Sequence, residues 1–339
     1  MSRSLLHVMR RAMLPLDGSI AEHVPAILKA YAGIVPVRDW PGLTVLDLTA
    51  GSCLLSLLFA AQGVRRVVVN DVAERSVLTA KALFGGRTLD RRQIRGLIAA
   101  PRPRLRRHVP SFHFASDYLT EPVAAIFDRL FYAPVPPPER PIYRYLGLRW
   151  VLGFAPSTDE DFPILPTHDE TQLRRDLERD WGPYLRRQHR AAAILEGLAG
   201  DLNAAIRRVA GARVEVHQAD VRTLCPQLDW RRRLFVMINP PTRGLDEYVI
   251  DDQLAHSLLA NRWLPLSRSR ETAETLWSEC VEAVLHRLPR GSHAVVWGGD
   301  GTLTWRQCWR LWTRLAQPVV VHPVERGRRR VGWAILEKR

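Results

Sequence analysis

The N-terminal stretch MSRSLLHVMRRAMLPL lacks an unbroken apolar run, because His7, Arg10 and Arg11 interrupt it; neither a signal peptide nor a membrane span is expected there. The four cysteines, Cys53, Cys225, Cys280 and Cys308, lie far apart and form no CxxC pair. That argues against a zinc ribbon or a disulfide framework and leaves core thiols as the expectation. Histidines such as His113, His168 and His217 show no metal-ligand spacing, and no Ser-His-Asp or Cys-His arrangement is evident, so no metal site is expected. The sequence also has no internal repeat, no GxGxxG fingerprint and no GK[ST] of a P-loop.

What the chain does have is positive charge. A formal net charge of +14 over 339 residues is large for an ordinary metabolic enzyme and points to a polyanionic partner. Nucleic acid is the first candidate and an anionic membrane surface the second. The chain reads as soluble and cytoplasmic. With 46% hydrophobic residues it can bury one large core plus an inserted or appended subdomain.

The apolar patterning divides the chain unevenly. Strand candidates LTVLDL and RRVVVND flank the helical stretch LLSLLFAAQG, a β-α-β pattern within residues 43–83. From Gly85 to about Ala155 the character changes: RRQIRGLIAAPRPRLRRHVP is arginine-rich, and PVPPPERP can continue neither a helix nor a central strand. A long polar helix is expected from about Glu170 to Val209, with a break at Gly182-Pro183. RVEVHQAD and RLFVMIN then resume the strands, followed by the helix ETAETLWSECVEAVLHRL, the strand HAVVWGG, the helix TWRQCWRLWTRLA and the strand pair PVVVHPV and VGWAILE. Alternating strands and helices predict a doubly wound, mostly parallel sheet, closed by an antiparallel hairpin around ERGRRR. Three segments follow: core residues 1–84, an inserted, mainly helical region 85–200, and core residues 201–339.

Small and acidic residues cluster where the strands end. Asp47 closes the first strand, and Thr49, Ala50, Gly51 and Ser52 form a tight turn before a helix whose N-terminus would point at a ligand. A carboxylate there repels phosphate oxygens and suits a cationic ligand. S-adenosylmethionine, with its sulfonium and ammonium groups, fits that requirement. The second strand ends in Asn70-Asp71, about 20 positions after the turn, where a carboxylate can grip a ribose diol; Asp71 is the first choice, with Asn70 close behind. The third ends at Asp220, placed to accept from an adenine amino group. The fourth runs into Asn239-Pro240-Pro241-Thr242, in which an Asn side chain and a proline carbonyl can both accept from an exocyclic amine.

The order DLTAGS, ND, AD, NPPT resembles an S-adenosylmethionine-dependent methyltransferase of the adenine-N6 type, whose fourth strand ends in [DN]PP[YFW]. The long arginine-rich insertion after the second strand most resembles the class typified by the bacterial Dam enzymes, where it is the target-recognition domain. The resemblance covers about residues 43–84 and 213–339. It implies a Rossmann-like methyltransferase fold and double-stranded DNA as partner, with Asn239, Pro240, Pro241 and Thr242 around the target amine. Asp17-Gly18-Ser19 resembles the family's N-terminal cofactor motif, with Ile20 in place of the usual lysine. Thr242 stands where the family has an aromatic that stacks on the flipped base; Tyr248, six residues on, either supplies that ring or packs in the core. RNA, a protein glutamine and a non-catalytic binding role remain as alternatives, and the large basic insertion counts against glutamine.

The basic clusters 102–107, 185–190, 230–233 and 326–330 are each readable as solvated faces. Interleaved with Tyr143, Tyr145, Trp150 and Trp181, those of the insertion instead suggest phosphate contact and base readout.

Overall fold

In the computed structural model, residues 3–14, 20–99, 121–152, 191–240, 255–256, 258–260, 272–298, 303–326 and 329–338 are described. The first part of the chain gives α1 (Arg3–Ala12), α2 (Ile20–Ile34), β1 (Thr44–Asp47), α3 (Leu54–Ala61), β2 (Arg66–Asn70) and α4 (Glu74–Phe84). The middle adds α5 (Arg91–Ala99), α6 (Glu121–Phe131), α7 (Arg140–Leu152), α8 (Ala191–Val209), β3 (Arg213–His217) and α9 (Val221–Leu224). The remainder is β4 (Leu234–Ile238), α10 (Ala273–Arg287), β5 (His293–Gly298), α11 (Trp305–Leu315), β6 (Gln317–Arg326) and β7 (Arg329–Glu337).

The strands form one seven-stranded sheet in the order β3-β2-β1-β4-β5-β7-β6. β1 to β5 are parallel, β7 runs antiparallel to β5, and β6 and β7 pair as the expected hairpin. β1, β4 and β5 are buried at every position, which explains why they read as unbroken apolar runs and shows that both sheet faces are covered. Alternate residues then go to opposite layers. Val45, Val67, Val69, Phe235 and Met237 join one core with α1 to α8; Leu46, Val68, Leu234, Val236 and Ile238 join the other with α9, α10 and α11. The result is a mixed α/β, doubly wound architecture compatible with a Rossmann-like fold.

Local chemistry sets several element ends. Thr304 caps α11 in a capping box: its hydroxyl accepts from the Gln307 N–H, and the Gln307 side chain accepts from the Thr304 N–H at 2.8 Å. Thr272 caps α10 by accepting from the Thr275 N–H. Gly332 lets β6 approach β7, since a Cβ there would lie 2.2 Å from the His322 carbonyl oxygen. All four cysteines are buried and in no disulfide, as expected of core thiols.

Of the 85–200 region, residues 85–99, 121–152 and 191–200 are described. It lies within the β2–β3 crossover, and a right-handed crossover places its helices on the face already carrying α3 and α4. Accordingly α7 packs on α4, α6 and α8, inside the same apolar core as the strands. Tyr143, Tyr145 and Trp150, expected to read bases, are buried core residues on α7. The Tyr145 hydroxyl donates to the Ala12 carbonyl at 2.9 Å, tying α7 to α1. Asn203 on α8 exchanges two bonds with the Leu89 main chain, at 2.7 and 2.9 Å, and fastens the start of the region to the core. Of the helix expected over 170–209, residues 191–209 are helical and the rest falls outside the described residues, as do Trp181 and the clusters 102–107 and 185–190. Among the described residues, no helix is long and apolar enough to cross a membrane.

Candidate functional site

The strand order reverses between β1 and β4: β1 continues through β2 to β3 on one side, while β4 leads to β5 on the other. In open α/β sheets the crevice beyond the carboxyl ends at such a reversal is where ligands bind. The turn after β1 is built for close approach. The Leu48 N–H donates to the Met237 carbonyl, the Ala50 N–H to the Asn70 carbonyl, and the Cys53 N–H to the Ala50 carbonyl at 2.7 Å. Gly51 has φ +49°, and a Cβ placed on it would meet nothing within 4 Å, so its main chain fronts open space. Cys53, at φ 61°, is the one non-glycine with positive φ among the described residues. A second glycine conformation therefore exists where the sequence shows a single glycine. Its strain, about 1–2 kcal/mol, is offset by complete burial of the side chain in the core.

Four polar residues at strand ends look alike in sequence and do different work. Asp71 is only part-buried, and each carboxylate oxygen accepts from one main-chain N–H: Oδ2 from Gly51 at 2.7 Å and Oδ1 from Ala73 at 2.9 Å. It is thus locked to the glycine turn. Asn70 is fully buried. Its amide donates to the Leu48 and Ala219 carbonyls, both at 3.0 Å, and its carbonyl accepts from the Ala219 N–H, so it staples three strand ends instead of facing a ligand. Asp220 caps α9 by accepting from the Arg222 N–H and holds the Arg222 guanidinium at 2.6 Å. That hydrogen-bonded arginine pulls its pKa down, and the carboxylate expected to meet an adenine amine is engaged within the chain.

Asp47 is also not an open ligand. It is buried beneath the turn, where its carboxylate accepts from the Ser56 hydroxyl at 2.5 Å. Burial pushes its pKa up to about 7; the Ser56 bond opposes the shift and the charge of Asp71 adds to it. The folded state therefore holds this proton more tightly than the unfolded chain, in which an aspartate titrates near 3.9. No cost exists below about pH 4; the cost grows from pH 4 to 7 and is complete above 7. Asp47→Asn should raise the thermal midpoint above pH 7, by the equivalent of roughly 1–3 kcal/mol, and leave it unchanged at pH 4. Melting curves across pH 4–8 provide the check; a stabilisation equal at both ends would refute this burden.

The loops after β1 and β4 are joined. The Asn239 N–H donates to the Thr49 hydroxyl at 2.6 Å, so the start of the Asn-Pro segment is anchored by its main chain to the glycine turn. The Asn239 side-chain amide makes no hydrogen bond to another described residue and is part-exposed, while Pro240 is buried. Thr49, expected to contact a cofactor, also positions the Asn239 main chain. Thr49→Val removes that acceptor at equal volume and should slow any chemistry at Asn239 about tenfold, with cofactor affinity changed less than twofold. Thr49→Ser should restore the rate; comparing kcat with cofactor Kd in the three proteins decides it.

Val72 carries no motif signal in the sequence. It is 65% exposed beside Asp71, and its carbonyl accepts from the Gln218 side chain at 3.2 Å. An apolar side chain flanking a carboxylate at a crevice mouth is a recognisable pattern once the strand end is fixed. Pro241, Thr242, Tyr248, Asp17 and Gly18 lie outside the described residues. Compared with known proteins, the chain matches no family model and no curated protein sequence.

Proposed function

We propose that the protein is an S-adenosylmethionine-dependent methyltransferase acting on the adenine N6 amino group in DNA. The observation that carries this reading is the Thr49–Asn239 bond, which puts an amine-accepting Asn-Pro segment against an open glycine turn at the sheet's reversal point. The sheet, with five parallel strands and an antiparallel final pair, agrees with the methyltransferase architecture that the motif order implies.

The residues present fit the cofactor. Asp71 offers carboxylate oxygens for a ribose diol, Gly51 gives unobstructed main chain, and exposed Val72 suits the flat face of a base. Asp47, ionising near neutral pH under the turn, adds negative charge where a cation would sit. When bound, S-adenosylmethionine supplies an electrophilic methyl group.

The chain's own part is orientation. The Asn239 side-chain oxygen and the Pro240 carbonyl accept from the two amine hydrogens, which holds the nitrogen lone pair toward the donor. The prolines make the loop rigid, so little reorganisation accompanies this alignment. Because the amino group is stacked inside a duplex, the target base must be extruded to reach the loop. Burial of Tyr143, Tyr145 and Trp150 removes those rings from base contact and leaves extrusion to other residues.

Mass spectrometry of nucleosides from DNA and from RNA, each incubated with protein and cofactor, tests the assignment. N6-methyldeoxyadenosine is the expected product. Methylation confined to RNA would move the substrate class, and no methylated nucleoside in either would reject the reading.

A further inference from the structure

The 230–233 cluster is placed far from the crevice. At the amino end of the sheet the strands start in register: Thr44 pairs with Arg66 and with Leu234, and Arg66 pairs with Arg213. Arg213 opens β3, Arg65 directly precedes β2, and Arg233 directly precedes β4. Main-chain bonds fix them side by side, from the Arg213 N–H to the Arg65 carbonyl at 2.7 Å and from the Thr44 N–H to the Arg233 carbonyl at 3.2 Å. The turn before β5 adds Arg290, held beside β4 because the Leu234 N–H donates to the Ser292 hydroxyl at 3.0 Å. Arg231, on the turn entering β4, completes the group. All five arginines are exposed, and none makes an ion pair with another described residue. Nearby Glu215 and Asp229 are engaged with Arg66 and Arg232, and Glu337, in register with His293 at the same edge, leaves the group of five arginines strongly positive.

At strand spacings of about 4.8 Å, the band crosses β3, β2, β1, β4 and β5 over roughly 20 Å. The contrast with the other end of the sheet is chemical. The crevice carries the carboxylates of Asp47, Asp71 and Asp220, and the amino edge carries guanidinium groups.

We infer that this amino-edge band is a second nucleic-acid contact surface, gripping the phosphodiester backbone without reading its sequence. Guanidinium forks match phosphate oxygens in geometry. Five neighbouring cations without anionic partners repel one another until a polyanion neutralises them. The adjacent Trp230 donates its ring N–H to the Cys225 carbonyl at 2.7 Å and belongs to the fold, which leaves the arginines as the contacting groups. The band is made of strand starts and turns, and so lacks the amphipathic helix by which proteins insert into an anionic bilayer. Five residues of strand, roughly 16 Å, separate band from crevice, so a straight duplex seated in the crevice does not reach it. A flanking or second segment does. The inference shares only its partner, nucleic acid, with the methyltransferase reading.

The test uses the full chain with Arg65, Arg213, Arg231, Arg233 and Arg290 all changed to Gln, beside a control with Arg306→Gln and Arg310→Gln on α11. Binding to a fluorescent 30-base-pair duplex is measured across a salt series, together with the melting temperature and S-adenosylmethionine affinity. The slope of log affinity against log salt should fall by about 3–5 in the five-site variant, near 0.9 for each phosphate no longer neutralised. The control should lose much less per charge, and cofactor affinity and melting temperature should hold. An unchanged slope, a per-charge loss equal to the control, no duplex binding by the wild type, or preferential binding to phosphatidylserine vesicles would each overturn the inference. If the slope falls as expected but no methyl group is transferred to DNA or RNA, the methyltransferase reading fails and the band stands. If methyl transfer occurs with an unchanged slope, the band fails and the methyltransferase reading stands.

Discussion

Asn239→Ala should abolish methyl transfer, lowering kcat by about 10²–10³-fold, the scale set by removing one preorganised polar group from a reacting centre. The N–H that Thr49 anchors belongs to the main chain, so the loop keeps its position while the side-chain acceptor disappears. Affinity for S-adenosylmethionine should therefore stay within twofold, because the lost group acts on the amine and the transition state. Single-turnover rates and calorimetry on the same preparations separate the two quantities. A parallel loss of rate and cofactor affinity would mean that Asn239 supports the cofactor pocket and does not orient the acceptor.

Asp71→Ala should produce the largest loss of cofactor affinity, about 1.5–3 kcal/mol or roughly 10- to 100-fold, as for a hydrogen bond to a charged group. The carboxylate also satisfies the Gly51 and Ala73 N–H groups, so the alanine variant loosens the turn as well. Asp71→Asn separates the contributions: its carbonyl can still serve one of those N–H groups, while the charge and one acceptor are gone. Its affinity should fall nearly as far as that of the alanine variant, with a smaller drop in melting temperature. Equal cofactor affinity in wild type and both variants would remove Asp71 from the site.

Much of the fold was legible in the sequence because buried parallel strands leave a direct trace. The runs within LTVLDL, RRVVVND, RLFVMIN and HAVVWGG are β1, β2, β4 and β5, and the turn residues between PVVVHPV and VGWAILE mark the β6–β7 hairpin. The juxtaposition of the glycine turn with the Asn-Pro segment followed from strand order. Chain-specific contacts did not. Asp47, Asn70, Asp71 and Asp220 share one pattern, a polar residue where an apolar run stops, and only the packed neighbours distinguish them. Ser56 lies nine residues beyond Asp47 and Ala219 is 149 beyond Asn70, separations that a local pattern does not encode. The aromatics of α7 differ from expectation for another reason: the arginines in RPIYRYLGLRWVL suggest a charged surface, while Ile142, Leu146 and Trp150, four residues apart, already trace the buried stripe of a helix. The cluster 230–233 needed the sheet register before its alignment with Arg65 and Arg213 became visible.

Amide hydrogen exchange measured with and without S-adenosylmethionine tests most directly whether the β1 and β4 loops form one site. Protection on adding cofactor should appear together in residues 48–53 and 71–73, and extend to the Asn239 amide through its bond to Thr49. Protection elsewhere with these segments unchanged, or no protection at saturating cofactor, would contradict a composite site at the β1–β4 reversal.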